Sequence, residues 1–249
     1  MEVMAIVALS TKMYFPRKRT LDYCRRLVQL LKPTHDADSV VMAMLPDFLT
    51  IASVASLLKP AGVRIGAQDV CADDRGAYTG EVSGSDLAAL GASIVEIGHI
   101  ERRRYYHEDN ALISSKVAAA WRNGLTPLLC VGEPEHMDAG KASQVCIEEI
   151  NNAIAGHRPG PLWVAYEPIW AIGAQHPASK EHVRKVCTAI SEHFRQYADK
   201  ISIIYGGSAG PGLLTELWPA VDGLFLGRFA HEPEAFISVV QEARILEAS

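Results

Sequence analysis

Eight short apolar runs punctuate the chain: "VMAIVAL", "SVVMAML", "VRIGAQ", "SIVEIG", "PLLCVG", "LWVAYE", "ISIIYGG" and "GLFLG". Each is rich in β-branched and aliphatic residues and is bounded by Gly, Pro, Ser or a charge. The runs are continuously apolar, without strict alternation, which predicts strands covered on both faces. Helical periodicity fills the intervals. "RTLDYCRRLVQLLK" places Leu21, Cys24, Leu27, Val28 and Leu31 on one stripe. "NALISSKVAAAWRNG" ends in a glycine where a helix commonly stops, and "SKEHVRKVCTAISEHF" opens on Ser179, a suitable N-cap.

Strand followed by helix, eight times over, predicts an α/β protein: a single-domain (β/α)8 barrel over 1–249. A doubly wound open sheet is the competing arrangement. No linker, low-complexity tract or shift in composition divides the chain.

A barrel of this kind builds its active site at the C-terminal ends of its strands, which narrows the search. Those positions hold Ser10 and Lys12, Gln68, His99 and Glu101, Glu133, Glu167, Gly206 to Ser208, and Gly227 with Arg228. Glu167 ends an apolar run and precedes Pro168 and a Gly- and Ala-containing stretch. Apolar walls raise a carboxyl pKa toward the range of a general base, although a lone glutamate is more often a solvated or ion-paired loop residue. His99 can shuttle a proton or donate to a carbonyl oxygen, or can be a satisfied core histidine. Lys12 can bind an anion or stabilise an oxyanion, or can be ordinary surface. "YGGSAGPG" and "LGRF" offer backbone N–H groups for a phosphate, or serve as tight turns. What weighs toward chemistry is that all of these fall at strand ends together.

Composition acts mainly by exclusion. The chain is 49% apolar and 21% charged with a net charge of -5, and its mixed charges suggest neither a nucleic-acid nor a membrane surface. No stretch approaches the roughly 20 apolar residues of a membrane span, and "MEVMAIVALSTK" fits a buried strand better than a signal peptide. Five scattered cysteines without a CxxC pair point to reduced thiols in a cytoplasmic protein and to no metal site.

The motifs "VAYEPIWAIG", "EIGHIERR", "LLCVGE", "GAQDV…GAYTGE" and "IIYGGSAGPG" together resemble triosephosphate isomerases, from Lys12 to about Gly227 and in that family's order. The resemblance implies a TIM barrel and a cofactor-free isomerase acting on a small phosphorylated ketose or aldose. It makes Glu167 the base, His99 the neutral group that polarises the carbonyl, Lys12 the cation offsetting substrate charge, and Glu101 the carboxylate behind them. It also makes Pro168 to about Ala178 a mobile lid that reaches the phosphate through the Gly173 N–H, with Ser208 a phosphate ligand. Thr79 and Glu81 match an interdigitating loop of a homodimer, with Arg102 as the partner of Glu81 across the interface.

The chain departs from the family around the substrate. The Asn-Trp-Lys signature after the first strand is replaced by Ser10, Thr11 and Lys12; Ile100 stands for a serine beside the histidine; the lid's second hinge reads "AQHP"; and paired glycines become Gly227-Arg228. Losing an amide at Ser10 frees room at the reacting end, which suggests a substrate one hydroxymethyl larger than dihydroxyacetone phosphate. The departures resemble a branch converting L-erythrulose 1-phosphate to D-erythrulose 4-phosphate in erythritol-type catabolism. An ordinary triosephosphate isomerase and a non-catalytic sugar-phosphate-binding relative are the alternatives.

Overall fold

All eight apolar runs form strands in the computed structural model, which describes residues 4–31, 40–157, 160–172, 177–197 and 200–248. The strands are β1 (Ala5–Ser10), β2 (Val40–Leu45), β3 (Arg64–Ala67), β4 (Ile94–Ile97), β5 (Thr126–Val131), β6 (Leu162–Tyr166), β7 (Ile201–Tyr205) and β8 (Gly223–Leu226). Each pairs in parallel with the next, and β8 pairs with β1 to close the barrel. Parallel neighbours cannot be joined by a tight hairpin, so a helical crossover lies between them. The helices are α1 (Arg17–Leu30), α2 (Ile51–Leu58), α3 (Gly84–Ala89), α4 (Ile100–Tyr106), α5 (Asn110–Arg122), α6 (Ala139–Ile154), α7 (Lys180–His193), α8 (Leu213–Leu217) and α9 (Pro233–Glu247). The open-sheet alternative is excluded by this closure.

Two apolar layers follow from the period of two along each strand. One phase points into the barrel: Ile6 and Ala8 from β1, Leu45 from β2, Ile94 from β4, Cys130 from β5, and Trp163 and Ala165 from β6. The other phase lies under the helices, where Leu9, Met44 and Val164 meet Leu27, Leu58, Ile150 and Val186. Each fully buried side chain of this kind stabilises by roughly 1.5–3 kcal/mol relative to exposure. Closure also fixes Gly223, since a Cβ there would come 1.9 Å from the Ile6 carbonyl oxygen.

Local signals hold where they carry a mechanism. Ser179 Oγ accepts the His182 N–H at 3.2 Å and starts α7, while Gly124 turns the chain after α5 with φ +71°. The stripe on α1 needs one correction. Thr20, Leu21, Tyr23, Cys24 and Leu27 are its buried residues, and Val28 is exposed. The face is rotated toward Tyr23, whose hydroxyl donates to the Ala230 carbonyl at 2.9 Å and draws that side of the helix against the chain after β8.

Candidate active site

Continuing the inward phase by one residue beyond each apolar layer brings in Ser10 after Ala8, Glu96 after Ile94 and Glu167 after Ala165. Three polar side chains thus cap the apolar interior at its C-terminal end, and all three are buried. Immediately above, Lys12 adopts φ +45°, a strained conformation for a side chain with a Cβ. The Gln68 amide holds that turn by donating to Thr11 Oγ1 (3.2 Å), the Lys12 carbonyl (3.1 Å) and the Leu45 carbonyl (2.9 Å). Lys12 Nζ donates to Glu101 Oε1 at 2.9 Å. Burial opposes the lysine charge, yet the hydrogen bond to Glu101 and the carboxylates of Glu167 and Glu96 raise its pKa above the ordinary value.

His99 caps α4. Its Nδ1 accepts the Glu101 backbone N–H at 3.1 Å, so Nδ1 carries no proton and a neutral ring holds its proton on Nε2. Burial, reinforced by the Lys12 charge, pushes the imidazole pKa down to about 4. The neutral ring therefore directs an Nε2–H into the site, with Nε2 3.5 Å from Glu167 Oε2.

Glu167 is 6% exposed. Burial and the neighbouring Glu96 carboxyl push its pKa up to about 8. Gly206 makes room for it, because a Cβ there would lie 2.6 Å from Glu167 Oε1. The chain beyond Glu167 is anchored from below by Glu133, which is fully buried. Glu133 Oε1 accepts the Tyr166 hydroxyl (3.1 Å) and the Trp170 indole N–H (2.7 Å), and His182 Nε2 lies 3.1 Å from it. Only the first part of the expected lid, 168–172, and its end, 177–178, are described. Gly173 lies outside the described residues.

A pocket of about 260 Å³ opens on this group. Ser10, Lys12, Glu101 and Glu167 line it together with Gly206 to Ser208 and Gly227 with Arg228. Such a volume suits a molecule smaller than a drug-sized ligand. Tyr14, Ile172, Phe229 and His231 also line it, though none ends a strand. Glu96 lies inside an apolar run and not after it, so strand ends do not point to it. Its signal in the sequence is a charge on the inward phase of "SIVEIG". Among the described residues no group of three or more His, Cys, Asp or Glu could hold a metal ion, and no helix is long and apolar enough to cross a membrane.

The expected dimer residues are not part of the pocket. Thr79 and Glu81 are exposed on the segment after β3. Arg102 has partners in its own chain: its Nη2 lies 2.7 Å from Asp69 Oδ2 and its Nε 2.7 Å from Glu108 Oε1. The bridge from Arg102 to Glu81 is expected between two copies of the chain, and these contacts within one chain leave it an expectation.

The sequence profile described as triosephosphate isomerase matches residues 5–243. The chain belongs to the triosephosphate isomerase family. It is thus an isomerase, as its motifs imply. It is 45% identical to an L-erythrulose-1-phosphate isomerase from Pectobacterium atrosepticum, an alignment covering 97% of this chain and 96% of that protein. A triosephosphate isomerase from Mycobacterium avium is 38% identical over 81% of this chain and 82% of its own length. The crystal structure of triosephosphate isomerase from Bartonella henselae superposes with a TM-score of 0.82 at 26% identity, covering 96% of this chain and 99% of that one. The family's motifs thus coincide with the polar cap of this barrel.

Proposed function

We propose that this single-domain barrel isomerises L-erythrulose 1-phosphate to D-erythrulose 4-phosphate through an enediolate. The observation that carries the reading is the convergence of Glu167 and Lys12 in one small pocket also lined by two Gly-containing loops, with His99 Nε2 3.5 Å from Glu167 Oε2. The side chains are suited to proton transfer at carbon; the loops offer backbone N–H groups to a phosphate. The strand-one serine and the relative named L-erythrulose-1-phosphate isomerase favour the four-carbon sugar over the triose.

In this reading the phosphate rests on Gly206 to Ser208 and beside Gly227-Arg228, and the sugar runs toward Ser10. Glu167 removes the C3 proton while the His99 Nε2–H donates to the C2 carbonyl oxygen. The 2,3-enediolate carries its negative charge near Lys12, whose pKa keeps it cationic. Glu167 then returns a proton to C2, and C3 becomes the carbonyl. One C–H and one O–H bond break and one of each forms: the C3 proton passes to C2 through Glu167, the C3 hydroxyl proton passes to the C2 oxygen, and the composition is unchanged. Glu101 holds the Lys12 ammonium and supplies the backbone N–H that fixes the His99 tautomer. Proton transfer between adjacent carbons calls for no cofactor. We further place the protein in the cytoplasm as a homodimer joined through the segment bearing Thr79 and Glu81, which sedimentation would test.

The deciding experiment compares kcat/KM of the purified protein for L-erythrulose 1-phosphate and D-glyceraldehyde 3-phosphate. The four-carbon sugar is expected to win clearly. A preference for the triose would make the protein a divergent triosephosphate isomerase, and inactivity on both would leave a binding relative.

A further inference from the structure

Glu96 is an anomaly in its surroundings. It is 3% exposed, on the inward phase of β4, one step above Ile94 and the apolar interior. Its carboxyl has one hydrogen-bond partner among the described residues: Ser10 Oγ, which donates to Oε2 at 2.9 Å. β1 and β4 are not neighbours in the barrel, so this bond crosses the interior from wall to wall. Glu96 does not line the pocket, whereas Ser10 does.

We propose that Glu96 is a positioning residue for substrate choice: it accepts the hydrogen bond of the Ser10 hydroxyl, so that Ser10 Oγ faces the pocket as an acceptor for a substrate hydroxyl. An ionised carboxylate can only accept, and a serine hydroxyl has a single proton, so the crossing bond fixes which way Ser10 points it. The remaining lone pairs of Oγ are left for a donor in the pocket. This assignment rests on the four-carbon reading above, because the hydroxyl so received is the terminal one that a tetrulose phosphate has and a triose phosphate lacks at that end. A buried carboxyl contributes poorly to stability compared with an apolar side chain of similar size, which argues against a purely structural role.

Charge around the pair supports the same picture. Glu96 is faced by Ser10 at the end of β1, Lys12 after it, Asp69 after β3, Glu101 after β4, Cys130 on β5 and Glu167 after β6. Burial pushes its pKa up to about 7, against the opposing effects of the Ser10 hydrogen bond and Lys12. Above that pH the carboxylate accepts from Ser10; below it the protonated acid can donate, and Ser10 loses its fixed polarity.

The test is a cycle of S10A, E96L and the double variant, read as the ratio of kcat/KM for L-erythrulose 1-phosphate to that for D-glyceraldehyde 3-phosphate. Each single variant should lower the ratio roughly tenfold, the scale of one hydrogen bond in a desolvated site. The double variant should lower it no further, because both remove the same bond. E96L should melt no lower than wild type, and the wild-type ratio should decline as pH falls below about 7. Additive losses, or E96L lowering both substrates equally, would overturn the assignment. A wild-type preference for the triose would overturn the substrate reading and this assignment with it; a four-carbon preference that survives both single variants would overturn this assignment alone.

Discussion

Asp69 and Glu108 are as deeply buried as Glu96 and Glu167, but they are surrounded differently. Lys116 Nζ lies 2.6 Å from Asp69 and 2.5 Å from Glu108, and Arg102 reaches the same two carboxylates at 2.7 Å each. Two anions meet two cations, so the charges of the network balance, although burial still raises the Asp69 pKa above its ordinary value. In the site, Glu96, Glu101 and Glu167 are served by Lys12. Burial, reinforced by that imbalance, raises Glu96 and Glu167 toward neutral pH. One arrangement ties β3 to α4 and α5; the other leaves carboxyls able to exchange protons at the pH where the chemistry runs.

Breaking the neutral network should have the largest effect. Lys116→Met leaves two buried carboxylates to one guanidinium, and a chemical-denaturation curve should show a loss of about 3–5 kcal/mol, the usual consequence of orphaning a buried charge. Turnover per folded molecule should persist, since Lys116 is not in the pocket. Glu167→Asp inverts that outcome. Shortening the base by one methylene should lower kcat roughly 100-fold or more with little change in KM, measured by steady-state kinetics. An unchanged kcat would remove Glu167 from its role.

A smaller effect sharpens the contrast through pH. The folded-state pKa of Glu167 is about 8 against an ordinary 4.5, so between those values the native state binds more protons than the unfolded chain. Stability must then fall as pH rises through that window. Glu167→Gln should therefore raise the melting temperature, and by more at pH 9 than at pH 5. The smallest change expected is from Ser10→Asn, which should move the ratio of kcat/KM toward the three-carbon substrate by about tenfold or less, the scale of pocket discrimination by one small group.

The barrel was legible because eight continuously apolar runs, each with a helical interval, admit few alternatives; even Ser179 as an N-cap follows from a mechanism. The strand-end rule likewise finds Lys12, His99 and Glu167, which the fold brings to one place. It leaves out Glu96 because the rule looks after a strand, and this carboxyl sits within one. It leaves out Tyr14 and His231 because loop residues reach the pocket by three-dimensional return of the chain, not by strand register. Arg102 illustrates the converse: a partner across an interface is a family expectation, whereas Asp69 and Glu108 are set by distances that no local pattern encodes.

The most direct test of the raised, under-partnered base is the pH dependence of kcat/KM. The acid limb should fall near pH 8, where Glu167 ionises, and should move to lower pH in E96Q, which removes a neighbouring negative charge. A limb no higher than about 6, where the substrate's own phosphate takes up its second proton, and unmoved by E96Q would contradict the account.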